Sequence, residues 1–289
     1  MVQEVSATVP RQQFVINTYP YTRLPAELCL SQLADQGYRA FELMCVPGHF
    51  WPSIDGAAGR IAITALLARR NLRVLTINQP SLDINLSSSI PEMRQHSCSL
   101  VIGALRLAAE WGAIGAVINP GRANPVFAPP VENVLDWYRH SLDVLVPEAQ
   151  SLGVRLIVKN HPLSYLHTAF DLGAFFDEYG WDHVGIGYDF ANGCFARENP
   201  GTALLRLKGH LDLVYAADTS LQRFDHAVVG TGAVHFQQIA GVLQSIGYSG
   251  STVLEIISED PSSAIELCIA RLESHAWPLP GTVEQSVKR

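Results

Sequence analysis

Lysine is nearly missing from this chain: Lys159, Lys208 and Lys288 stand against 17 arginines. The formal net charge is −7, so there is no basic footprint, and nucleic acid is excluded as an expected partner. The five cysteines (Cys29, Cys45, Cys98, Cys194 and Cys268) are odd in number and widely spaced. They form no CxxC pair and no zinc-ligand spacing, which argues against a disulfide framework and for reduced thiols. No apolar run reaches membrane-spanning length. Residues 1–10 lack the charged-then-apolar order of a secretory leader. A cytoplasmic protein with no membrane partner is the expectation. There is no G-x-S-x-G elbow and no P-loop, and Gly230-Thr231-Gly232 lacks the rest of a dinucleotide fingerprint.

What is present is a rhythm. Short apolar runs rich in β-branched residues recur at Phe14–Ile16, Ala40–Leu43, Val74–Ile77, Ala116–Ile118, Val154–Val158, Val184–Tyr188, Leu213–Ala217 and Thr252–Ile256. Between them lie segments with helical spacing: Ala26–Gln36, Ala57–Arg70, Met93–Trp111, Val131–Leu152, Asp171–Tyr179, Ala203–Leu207, Phe236–Ile246 and Ser263–Leu272. Glycine follows several of these, as in Leu152-Gly153 and Ile246-Gly247, the usual C-terminal stop. Eight βα units predict a single (β/α)8 TIM barrel over residues 1–289, with a short polar extension (1–10) and a polar tail (278–289).

In such a barrel the site is built at the C-terminal ends of the strands. Reading those ends in order gives Asn17 and Tyr19, Glu42 and His49, Asn78 and Gln79, Asn119 and Arg122, then Lys159, Asn160 and His161. Asp189 and Asn192, Tyr215 and Asp218, and Glu255 complete the ring. Such a ring suits a small polyhydroxylated or carboxylated ligand that needs directed hydrogen bonds. Lys159 closes an apolar strand, an address that is costly unless the ammonium is paired or used, although a lysine snorkelling into solvent is the plain alternative. Glu255 lies inside Val253-Leu254-Glu255-Ile256-Ile257 and needs a cation partner, for which Lys159 is the natural candidate. His167, His210, His226 and His235 are expected on the surface or beside helices.

The order and spacing of several stretches resemble the xylose-isomerase-like TIM barrels, the sugar-phosphate isomerase/epimerase superfamily. These are Phe41-Glu42-Leu43 with Pro47-Gly48-His49, Asp83 to Ser87, Gly153 to Pro162, Gly185-Ile186-Gly187-Tyr188-Asp189, Gly230 to Phe236, and Gly247-Tyr248-Ser249-Gly250 leading to Glu255. The resemblance implies a divalent metal (Mn, Mg, Zn or Co) held by a Glu after strand five, an Asp after strand six, a His on strand seven and a Glu after strand eight. Asp189 and Glu255 match two of these. Lys159 stands where the strand-five Glu would be, and Tyr215 where the His would be. A protonated lysine binds no metal and repels one, so no cofactor is expected, and Asp189 and Glu255 are the metal ligands if an ion is bound.

The resulting expectation is an isomerase or epimerase, or a related lyase. It would remove a proton next to a carbonyl of a small polyhydroxylated keto compound, with Lys159 in place of the metal. Lys159, Glu255, Asp189 and His161 are the catalytic candidates. Glu42, His49, Asn78, Asn119, Arg122, Tyr215 and Asp218 are the substrate-binding candidates. Two alternatives stay open: a binding or accessory protein that lost catalysis, and a metal-dependent sugar isomerase with a rearranged ligand set. Assembly into a homo-oligomer is also left open.

Overall fold

A computed structural model describes residues 10–79, 83–122 and 126–278. The expected extension before residue 10 and the tail after residue 278 lie outside the described residues. Eight parallel strands close into one barrel, each hydrogen-bonded to the next and the eighth to the first. They are β1 Phe14–Asn17, β2 Ala40–Met44, β3 Arg73–Asn78, β4 Gly115–Ile118, β5 Arg155–Lys159, β6 Val184–Asp189, β7 Leu211–Tyr215 and β8 Ser251–Leu254. Helices α1 Ala26–Asp35, α2 Pro52–Arg70, α3 Pro91–Glu110, α4 Val131–Leu152 and α5 Ala169–Tyr179 alternate with the first six strands. Helices α6 Phe190–Phe195, α7 Pro200–Leu207, α8 Phe236–Ser245 and α9 Pro261–Ser274 follow. Among the described residues, no helix is long and apolar enough to cross a membrane.

All eight expected strands are present, with boundary shifts of a few residues. Helix α2 starts at Pro52 rather than Ala57, and its chain breaks helical geometry at Gly56 (φ 59°). Helix α6 was not expected, because its six residues are too few to carry a helical period. Gly153 (φ 68°) and Gly247 (φ 66°) end α4 and α8 in the left-handed conformation that glycine adopts without a Cβ clash.

Strand periodicity decides what faces the barrel axis. A compact interior cluster contains Val15, Ala40, Leu75, Val117, Ile157, Leu213, Tyr215 and Val253. Their alternates, such as Leu156, Val158, Val214 and Leu254, belong to the larger core beneath the helices. Two residues past the interior positions of several strands come Asn17, Glu42, Lys159 and Glu255. The apolar plug thus gives way to a polar upper layer at the C-terminal mouth.

Candidate functional site

Lys159 is the hub of that layer. Its Nζ donates to Glu255 Oε2 across the barrel, lies 3.0 Å from Asp189 Oδ2 on the next strand, and sits 4.0 Å from the centre of the Tyr215 ring. Burial alone would favour the neutral amine, but Glu255 and Asp189, with Glu42 behind them, outweigh it and hold the Lys159 pKa above that of an ordinary lysine. Burial likewise opposes ionisation of Asp189, yet Lys159 and His226 hold its carboxyl well below the usual range. Helix α6 explains the aim of Asp189. Oδ1 accepts the Asn192 N–H at 3.0 Å as the helix cap, which leaves Oδ2 for the cations.

Beneath the lysine is a second polar tier. Glu42 is fully buried and accepts hydrogen bonds from Asn17 (2.6 Å), Asn78 (2.9 Å), Thr76 (2.7 Å) and the Tyr215 hydroxyl (2.7 Å). Burial raises its pKa, and Lys159 and these donors oppose that rise. Gly187 makes room for the Tyr215 ring: a Cβ there would meet Tyr215 Cε2 at 2.8 Å.

A cavity of about 360 Å³ opens above this layer. Of the expected residues, Lys159, His161, Glu255, Asn78 and Asn119 line it. Glu42, Asp189 and Tyr215 lie beneath or behind those and act on the cavity through Lys159 and its partners. Three others do not line it. His49 is buried, with Nδ1 donating to the Leu24 carbonyl (2.6 Å) and Nε2 bonded to the Thr18 hydroxyl (3.0 Å). Burial lowers its pKa, so this neutral ring ties the ends of β1 and β2 together. Asp218 accepts the N–H groups of Thr219 (2.8 Å), Gly232 (2.8 Å) and Val234 (3.0 Å), and so clamps the long β7–α8 connection. The Arg122 backbone is fixed by Asn85 and bridged to Ser164.

The residue that the sequence reading misplaced is His226. It is buried, lines the cavity, and sets Nε2 3.1 Å from Asp189 Oδ2 and 4.0 Å from Glu255 Oε1. Burial would lower its pKa, but the two carboxylates raise it. The β7–α8 connection folds back through an antiparallel bridge between Asp218 and Ala227 and delivers the ring. An imidazole thus reaches the carboxylates around Lys159 from a loop, while strand β7 ends in Tyr215. Its only sequence signal is that it follows the strand ending in Tyr215.

His161 lines the cavity beside His226 and packs edge-on against Phe224, centroids 5.8 Å apart. Burial, and then the Lys159 charge, push its pKa down to about 4. Its Nδ1 accepts the Leu163 N–H at 3.2 Å, which places the ring proton on Nε2.

Among the described residues, Asp189, His226 and Glu255 could hold a metal ion, offering ligand atoms within 4.8 Å of one another. Two carboxylates and an imidazole are a chemically reasonable set for a divalent ion. The same carboxylate lone pairs, however, receive the Lys159 ammonium. The set therefore does not fit a divalent ion while Lys159 is protonated and in place.

A family model described as xylose isomerase-like TIM barrel matches residues 30–275. An uncharacterised protein of Methanocaldococcus jannaschii is 22% identical over 247 residues, 80% of each chain. Among solved structures, a D-tagatose 3-epimerase-like protein superposes with a TM-score of 0.79 at 20% identity, covering 91% of this chain and 98% of that one. The 3-keto-D-glucoside 4-epimerase from E. coli gives 0.76 at 21% identity, covering 91% and 99%. An L-ribulose 3-epimerase gives 0.72 at 20% identity, covering 91% and 95%. At these identities the structural likenesses establish the fold.

Proposed function

Because this chain belongs to the xylose isomerase-like TIM barrel family, we propose that it is an isomerase- or epimerase-class enzyme acting on a small polyhydroxylated keto compound, with Lys159 in the place of a divalent metal. One observation carries the reading: the Lys159 ammonium is held between Asp189 and Glu255 at the wall of the cavity. The sugar epimerases among the structural neighbours support the substrate class.

In this reading Lys159 donates a hydrogen bond to the substrate carbonyl and stabilises the enolate oxygen as negative charge develops there. Glu255 Oε1, the oxygen not engaged by the ammonium, removes the proton from the adjacent carbon. His226, whose protonated form Asp189 and Glu255 favour, returns a proton to that carbon. The cycle closes when the proton on Glu255 passes back to His226. His161, neutral with its proton on Nε2, donates a hydrogen bond to a substrate oxygen. Tyr215 and Glu42 support the lysine from below. A Schiff base on Lys159 would need a neutral amine, which the carboxylates disfavour.

Deuterium exchange from solvent into a keto sugar, followed by NMR with and without EDTA, tests the proposal. Exchange that survives EDTA in a preparation free of divalent metal is the expected result. Stoichiometric Mn, Mg, Zn or Co, with exchange lost on its removal, would overturn the lysine-for-metal reading. That outcome would favour the second reading, a metal-dependent isomerase using Asp189, His226 and Glu255 with Lys159 displaced.

A further inference from the structure

The cavity has two kinds of lining. Many of its polar groups gather at or just after the strand ends, namely Lys159, Glu255, His161, Asn192 and Asn78, and His226 joins them from the β7–α8 connection. Most of their hydrogen-bonding capacity is already spent inside the protein. Asn78 donates to Glu42, Asn192 donates to the Asn160 carbonyl, and Lys159, Glu255 and His226 engage one another or Asp189. Asn192 Oδ1 is a buried acceptor with no hydrogen-bond partner, on a side chain that lines the cavity and is 1% exposed.

Apart from Tyr19, Gln79 and Asn119, the remaining walls are apolar: Met44, Val117 and Ile118 from the ends of β2 and β4, and Leu163, Phe224 and Ile257 from the loops after β5, β7 and β8. A hydroxyl pressed against these side chains would give up its water without gaining a partner, which costs free energy. An apolar group placed there gains instead. The cavity volume of about 360 Å³ falls in the range that drug-sized ligands fill, more than a bare six-carbon sugar needs. Leu163 and Ile257 are each 51% exposed, so this apolar side opens to solvent and accommodates a group that extends out of the mouth.

We infer that the substrate is a keto sugar derivative in two parts: a hydroxylated carbonyl end seated on Lys159 and His161, and an apolar substituent, such as an aryl or alkyl aglycone, lying against Phe224, Leu163 and Ile257. The inference rests on the reading of the site as a carbonyl-processing centre.

The test uses methyl and phenyl 3-keto-β-D-glucoside, which share one carbonyl and differ only in the substituent. Solvent deuterium exchange is followed by NMR, and binding is measured by titration calorimetry. The phenyl compound is expected to exceed the methyl compound about tenfold or more in kcat/KM and in affinity. That ratio is expected to fall toward one in Leu163→Ser and Ile257→Ser. Equal kcat/KM for the two compounds overturns the inference and leaves the proton-transfer reading intact. Tighter binding of the phenyl compound with no exchange from either compound upholds the inference and overturns the proton-transfer reading. Absence of both exchange and binding preference overturns the inference.

Discussion

The Nζ of Lys159 lies 4.0 Å from the ring centre of Tyr215, so the lysine that ends β5 rests on the aromatic face that ends β7. The ring's negative face and two carboxylates surround a single ammonium.

Lys159→Met removes the ammonium from between Asp189 and Glu255 and leaves His226 as their remaining basic neighbour. Removal of one member of a buried ion pair costs about 3–5 kcal/mol, so urea denaturation is expected to register a loss of that order. Manganese or zinc is expected to restore part of it, since Asp189, His226 and Glu255 then have free lone pairs. Unchanged stability with no response to metal would show that the carboxylates do not depend on the ammonium.

Gly187→Ala tests the tyrosine. The added Cβ would stand 2.8 Å from Tyr215 Cε2, and the ring that contacts Lys159 and donates to Glu42 must move. A loss of about 1–3 kcal/mol is expected from overpacking, measured by thermal or chemical denaturation. Turnover should fall in the same variant, assayed on a keto sugar well below the melting temperature. Full stability together with full turnover would mean that the ring position is not critical.

Asp218→Ala removes three hydrogen-bond acceptances that hold the β7–α8 connection. Limited proteolysis is expected to cut between residues 219 and 235 faster than in the parent protein. Turnover should fall further than global stability does, because His226 rides on that connection. Parallel losses of both would indicate a purely global effect.

His161 makes one contribution to the pH dependence of stability, opposed by His226, whose pKa is raised. The folded pKa of His161 is depressed to about 4 from an ordinary 6.5. Between these values the unfolded chain binds more protons, so stability is lost as pH falls through that window and this contribution changes no further below about pH 4. His49 and His210 are shifted in the same direction and add to the trend. Urea midpoints at pH 7, 5.5 and 4.5 should decline less steeply in His161→Asn than in the parent protein. Identical declines would exclude His161 as a contributor.

The amino-acid order alone determined the barrel, since the eight β-branched runs, the helical spacing between them and the glycine stops are local signals that the tertiary structure did not need to override. It also determined which strand residues face the axis: Lys159 and Glu255 lie two positions beyond Ile157 and Val253, and alternation carries that relation without any long-range information. Helix α6 escaped notice because six residues are too short to show a period. With it went the reason that Asp189 presents Oδ2 to the lysine. His226 was illegible for a different reason. A loop residue has no periodicity, and its position depends on the Asp218–Ala227 bridge and the three bonds to the Asp218 carboxylate. His49 and Asp218 were read as parts of the site because strand-end polarity is shared by ligand-binding groups and by groups that satisfy loop backbones. Only the closed fold, which decides where each hydrogen bond goes, separates the two.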